Sequence, residues 1–130
     1  MKDIKKILVL DSRAGTIHKD LLELQLDMYE LEGKERPKIE VKNVLGRGIA
    51  MRLPRDFEGY LLHLAQVELR RDLSALREEQ PWSFIYGISG QGTVDLVPEV
   101  RNCLDRTFYI VRPFDYQEII KDIMKGRVPQ

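Results

Sequence analysis

Cysteine is almost missing from this chain: Cys103 is the single thiol in 130 residues, so no internal disulfide can form and a packed core must hold the fold. An excess of either charge is missing too. Lys and Arg number 21, as do Asp and Glu, which leaves no net pull toward nucleic acid or an anionic membrane surface. No apolar run reaches the roughly 20 residues that a membrane-spanning helix needs. The opening Met1-Lys2-Asp3-Ile4-Lys5-Lys6 passes directly into a strand-like run and not into a signal-peptide core, so a soluble cytoplasmic protein with no cleaved leader is expected. With only two histidines and one cysteine, no cluster has metal-ligand spacing. Internal repeats and low-complexity tracts are absent, and the length suits one domain with one core.

What is present is an alternation of strand-like and helix-like patterns. Ile7-Leu8-Val9-Leu10 is a continuous apolar run ending at Asp11, as in a strand buried on both faces of a parallel sheet. Ile17, Leu21, Leu24, Met28 and Leu31 then recur at steps of four and three, predicting a helix whose buried stripe they form and which ends near Gly33, ahead of Pro37. Ile39, Val41 and Val44 predict a second strand, and residues 46 to 53 a short helix stopped before Pro54. Residues 60 to 64 read as a third strand, although a single helix from Asp56 to Glu79 also fits the composition. Val67, Leu69, Leu73 and Leu76 predict a helix that must finish before Pro81, and residues 82 to 88 a fourth strand. Val97, Val100 and Leu104 predict a further helix with Pro98 in its first turn, residues 107 to 111 a fifth strand, and Ile119, Ile120, Ile123 and Met124 the buried side of a last helix. Five strands alternating with helices imply an α/β three-layer sandwich with a parallel sheet, whose ligands gather at the carboxyl ends of the strands.

The last third carries the most specific pattern. Phe84-Ile85-Tyr86-Gly87-Ile88-Ser89 is an apolar strand ending in a hydroxyl, and Tyr109-Ile110-Val111-Arg112-Pro113-Phe114-Asp115 leads into the last helix. This resembles the end of a response-regulator receiver (CheY-like) domain, in which a strand ends in Thr or Ser, a Lys-Pro-Phe follows one helix-turn-strand later, and an aromatic switch residue stands three positions before the Lys. Nearly the whole chain suits that family in element order and in the spacing from Asp11 to Ser89 to Arg112. The resemblance implies a flavodoxin-like sandwich with a five-stranded parallel sheet, residues 1 to 124 forming the receiver-like domain and 125 to 130 a tail or linker. It also implies a place in two-component signal transduction of the bacterial kind.

The residues that such a domain uses are only partly kept. The family has two acidic residues after strand 1 to hold Mg²⁺, and here Asp11 fills the first position while Ser12 stands at the second. The family's phosphoacceptor Asp ends strand 3; here the local sequence is His63-Leu64-Ala65-Gln66, with no carboxylate. Mg²⁺ demands oxygen ligands in near-octahedral array, so Asp11 alone is a poor site, and phosphoryl transfer lacks both nucleophile and neutralising ion. His63, in an apolar strand, is read as a packed, hydrogen-bonded residue and not as a phosphoacceptor. The family Lys is replaced by Arg112, a planar guanidinium suited to bidentate pairing. Two readings stand for it: a permanent pairing with Asp11 across the rim, or solvation at the strand end. Tyr109 is either the aromatic switch locked in one state or a plain core aromatic.

Other signals are weaker. Gly87, Gly90 and Gly92 match no phosphate-binding fingerprint, since no Lys-Ser or Lys-Thr follows. Cys103 has neither His18 nor His63 near it in sequence and is read as an inert thiol. Charged runs such as Glu68-Leu69-Arg70-Arg71-Asp72 are read as solvated helix faces. The favoured function is a pseudo-receiver: a phosphorylation-independent, non-catalytic regulatory module without metal or other cofactor. It would bind a protein partner or belong to a larger regulator, with a homodimer through the last helix-strand-helix face around Tyr109, Pro113 and Phe114. The competing function is a small α/β enzyme or nucleotide-binding protein that uses the rim at the carboxyl ends of the strands.

Overall fold

The computed structural model describes residues 4–11, 17–45, 53–63, 69–89, 102–109 and 116–126. They form β1 (Lys5–Asp11), α1 (Ile17–Leu31), β2 (Ile39–Leu45), β3 (Gly59–His63), α2 (Leu69–Glu79), β4 (Phe84–Ser89), β5 (Arg106–Tyr109) and α3 (Tyr116–Lys125). All strand pairs are parallel, and the strand order is β2-β1-β3-β4-β5. The sequence leaves β1 before α1 and β3 before α2 because parallel neighbours need a crossover of a dozen or more residues. The expected parallel α/β sandwich is thus the fold observed.

The continuous apolar runs are explained by two covered sheet faces. Ile7, Val9, Leu61, Tyr86 and Ile88 point to one side and meet Leu22 and Leu26 of α1 and Ile119, Ile120 and Ile123 of α3. Leu8, Leu10, Tyr60, Leu62 and Ile85 point to the other side and meet Leu73 and Leu76 of α2, with Leu53, Phe57 and Cys103. Each fully buried side chain of this size is worth about 1.5–3 kcal/mol. The choice between a third strand and one long helix over residues 56 to 79 is settled by this packing: Gly59–His63 lies between β1 and β4, and α2 begins only at Leu69.

Several expected details change. In α1 the buried residues are Leu22 and Leu26, with Tyr29 packed against the core, whereas Leu21, Leu24 and Leu31 of the expected stripe are 37%, 50% and 83% exposed. Two apolar rows run along this helix, and the chain's path from β1 to β2 turns the shorter one inward. Trp82 lies in the turn before β4 and is 45% exposed, because the strand starts only at Phe84. Lys125 is the last residue of α3 and not the first of a tail. Leu104 lies in irregular chain before β5. The short helix expected over 46 to 53 and the helix expected from Val97 fall, apart from their ends, outside the described residues.

Helix α1 ends as its sequence predicts. Gly33 adopts φ +81°, its N–H donates to the Glu30 carbonyl at 3.0 Å, and the Lys34 N–H donates to the Tyr29 carbonyl at 2.8 Å. That pair of bonds is the Schellman closure, which favours glycine at the left-handed position.

Candidate functional site at the carboxyl edge of the sheet

Strand register brings the sequence-selected residues to one edge. Leu10 pairs with Leu62, and the next residues, Asp11 and His63, end β1 and β3. His63 pairs with Ile88, and Ser89, one residue on, pairs with Tyr109. Asp11, His63, Ser89 and Tyr109 therefore end four adjacent strands in the order β1-β3-β4-β5. The chain order reverses at β1, which lies between β2 and β3, and a reversal of this kind leaves a crevice at the carboxyl edge of an open sheet. The side chains of these four residues, and the whole of Ser12, Arg112, Pro113 and Phe114, lie outside the described residues. So does the expected Asp11–Arg112 pairing.

The strands that carry this rim are rigidly held. Ile7, Leu8, Val9, Tyr60, Leu61, Leu62, Ile85, Tyr86 and Ile88 have no exposed surface. Just behind the rim, His18 in the first turn of α1 lies 2.6 Å, Nδ1 to hydroxyl, from Tyr116, which opens α3. Both helices start at the carboxyl edge, so this contact fixes their first turns together. The sequence offered only two unrelated residues 98 positions apart, and no local pattern could have paired them.

On the same sheet face, the Tyr86 hydroxyl donates to Asp122 Oδ2 at 2.9 Å, while Arg106 reaches Glu118 at 2.5 Å. Burial raises the Tyr86 hydroxyl far above the ordinary phenol range, and the Asp122 carboxylate adds to the shift by repelling a phenolate and by accepting the proton's hydrogen bond. These contacts seat α3 on β4 and β5.

The opposite edge is polar and closed. Gln80 Nε2 donates to Ser83 Oγ at 2.7 Å and to the Tyr60 hydroxyl at 3.2 Å, and Ser83 Oγ donates to the Phe57 carbonyl at 2.9 Å. Further up α2, in its first turn, Asp72, 9% exposed, accepts from the Leu53 N–H and pairs with Arg55 Nη2 at 3.1 Å. Burial alone would lower the Arg55 guanidinium, but hydrogen bonds and charges from Asp72 and Glu79 outweigh it and hold it raised. Arg77 donates to the Ser83 and Cys103 carbonyls at 3.0 and 2.8 Å and to Asp105 Oδ2 at 2.9 Å.

Cys103 belongs to this far edge. It precedes β5, whereas His63 ends β3, so the two are separated by the length of the sheet. Burial raises its thiol, with Arg77 opposing the shift, which favours the unreactive form. Among the described residues no three His, Cys, Asp or Glu side chains gather to hold a metal ion, and no helix is long and apolar enough to cross a membrane.

Neither a protein-family model nor a curated protein sequence matches the chain significantly. Solved structures do. A CheY-like response regulator receiver domain protein from Methanospirillum hungatei JF-1 aligns over 95% of this chain and 93% of its own, with TM-score 0.58 and 20% identity. The response regulator TrrA from Thermotoga maritima, in complex with Mg²⁺-BeF, aligns over 93% and 97%, with TM-score 0.55 and 16% identity. The BeF₃-activated DrrB receiver domain aligns over 95% and 99%, with TM-score 0.56 and 13% identity. The chain therefore has the fold of CheY-like receiver domains.

Proposed function

We propose that this chain is a response-regulator-like signalling module that works by protein interaction and without phosphorylation of its own. One observation carries the reading: His63 ends β3 level with Asp11, so the strand that flanks β1 ends in a histidine where the fold's phosphoryl chemistry calls for a carboxylate. Ser12 follows Asp11, which leaves one acid on that strand end. A hard divalent cation needs more oxygen ligands than that, and without the cation a transferring phosphoryl group has no neutralising charge. The module is non-catalytic, spans residues 1 to 125, and connects through 126 to 130 to a larger regulator or acts on a separate partner in the cytoplasm. The face around β5 and α3, with Tyr109, Pro113 and Phe114, is its output surface. Arg112 takes the place of a phosphoryl-binding Lys and pairs with Asp11.

Two of the similar structures bear beryllofluoride, which makes that anion the natural probe. The purified chain is titrated with Mg²⁺ and beryllofluoride while the backbone amides of Asp11, Ser89, Tyr109 and Arg112 are followed by NMR. The expected spectrum does not move at saturating ligand. Shifts spreading from Asp11 to Tyr109 would show that the rim still takes a phosphoryl group and would reverse the proposal.

A further inference from the structure

The sheet has one long edge that nothing described covers. Strand β2 is outermost and seven residues long, against four for β5 at the other edge, and an uncovered edge of this length is a template for pairing. Lys5 N–H donates to the Lys38 carbonyl at 3.1 Å, so even-numbered residues of β2 turn their backbone groups toward β1 and odd-numbered ones turn theirs outward. Val41 and Asn43 thus present N–H and C=O to the outside. The side chains alternate likewise: Ile39 and Val41 are buried under α1, whereas Glu40 and Lys42 are exposed on the other face. Beside the first half of β2, an open groove of about 510 Å³ lined by Glu23, Arg36, Ile39 and Val41 leaves room for another segment. Glu23 is joined at 3.0 Å to Lys19, so the flank of α1 next to the edge carries both signs.

We propose that β2 pairs antiparallel with β2 of a second copy of this chain, about a two-fold axis through Val41, so that two five-stranded sheets become one. The register follows from backbone and charge. Outward groups must meet outward groups, so odd-numbered residues oppose odd-numbered ones. A two-fold through Lys42 would set Lys42 against Lys42, and one through Glu40 would set Glu40 against Glu40; like charges directly opposite are destabilising. An axis through Ile39 sets Glu40 opposite Lys38 but places Pro37, which has no N–H to donate, opposite Val41 in the pair next to the axis. The axis through Val41 sets Glu40 opposite Lys42 on both sides and keeps Pro37 away from the centre. Glu40 and Lys42 are then at non-hydrogen-bonded positions, where side chains come closest. Val41 exchanges both backbone bonds with Val41 of the second copy, and the Asn43 N–H reaches the second copy's Ile39 carbonyl. Alternating charge, which on an edge strand usually discourages pairing, here selects one partner and one register.

The test is sedimentation of the full chain from micromolar to millimolar concentration, with Glu40→Lys, Lys42→Glu and the double exchange. Both side chains are exposed, so each single variant keeps its circular dichroism and unfolding midpoint. Each turns two attractive cross-strand pairs into two repulsive ones and weakens the dimer about ten-fold or more; the double exchange restores it. Amide exchange of Val41 and Asn43 slows as concentration rises. A chain monomeric at millimolar concentration overturns the proposal, as does a dimer indifferent to these substitutions, or one lost instead on Arg106→Ala at the opposite edge. None of these readouts depends on whether the rim binds a phosphoryl group.

Discussion

His63 stands level with Asp11: Leu10 and Leu62 are paired, and each strand ends one residue later. Restoring acids at this level should restore metal binding. The double variant Ser12→Asp, His63→Asp gives three carboxylates on two neighbouring strand ends, enough for a hydrated Mg²⁺ held chiefly by charge. Magnesium titration followed by backbone amide shifts at Asp11 and Ser89 should saturate in the variant and leave the parent chain unmoved. Equal responses in both would show that the single acid already suffices.

The two apolar rows of α1 make a second prediction. Leu22 and Leu26 are fully buried, whereas Leu24 is half exposed and Leu31 is 83% exposed. Leu26→Ala should cost about 2–4 kcal/mol, since it opens a cavity between α1 and the sheet. Leu31→Gln should change stability by less than about 0.5 kcal/mol. Urea denaturation of both variants checks the pair; comparable losses would mean that the outer row is covered in solution.

That helix marks the boundary of what the sequence made legible. Strands β1 and β4 announced themselves because a run buried on both faces has no polar interruption, and their last residues located Asp11 and Ser89 at one edge. Residues 60 to 64, by contrast, also fitted a helix from Asp56 to Glu79 until their place between β1 and β4 decided it. Which row of α1 turns inward was not legible, since Leu21, Leu24, Met28 and Leu31 have as good a helical period as Leu22, Leu26 and Tyr29. The far-edge network was also hidden. Gln80, Ser83 and Tyr60 are polar or amphipathic residues whose partners lie up to 26 positions away, and such pairs exist only once the sheet is assembled.

Asp72 should be the most costly single acid to remove. It is nearly buried, accepts from the Leu53 backbone and pairs with Arg55, whose side chain is 15% exposed. Asp72→Ala leaves that guanidinium with Glu79 as its remaining carboxylate and the Leu53 N–H without its acceptor, a loss of about 2–4 kcal/mol. Asp72→Asn keeps an acceptor and should lose roughly half as much. Thermal unfolding of the two variants distinguishes these outcomes, and a neutral alanine would show that the cluster is hydrated.

Gly59 is held to glycine by α3. A Cβ there would lie 2.6 Å from Ile123 Cδ1 and 3.5 Å from Ile7 Cγ1. Gly59→Ala should therefore cost about 1 kcal/mol through overpacking, even though alanine gains over glycine in a strand. Ile123→Val removes the offending methyl. In that background the alanine should become neutral or favourable, and a double-mutant cycle showing no coupling would refute the contact.

Alkaline pH should weaken the fold in a direction set by three buried groups. The hydroxyls of Tyr86 and Tyr60 and the thiol of Cys103 are all raised, in each case chiefly by burial. The unfolded chain loses the thiol proton from about pH 8.5 and the phenol protons from about pH 10, while the folded chain keeps them. The folded state then binds more protons than the unfolded one, so the contribution of these groups is fully present below that range and is lost as pH rises through it. Tyr86→Phe removes the largest of the three shifts. It should cost about 1–2 kcal/mol at pH 7, where the bond to Asp122 is lost, and should flatten the fall in stability above about pH 10. Denaturant midpoints from pH 7 to the alkaline limit test both halves of this expectation, and a variant with an unchanged alkaline slope would mean that Tyr86 ionises as freely in the folded chain as in the unfolded one.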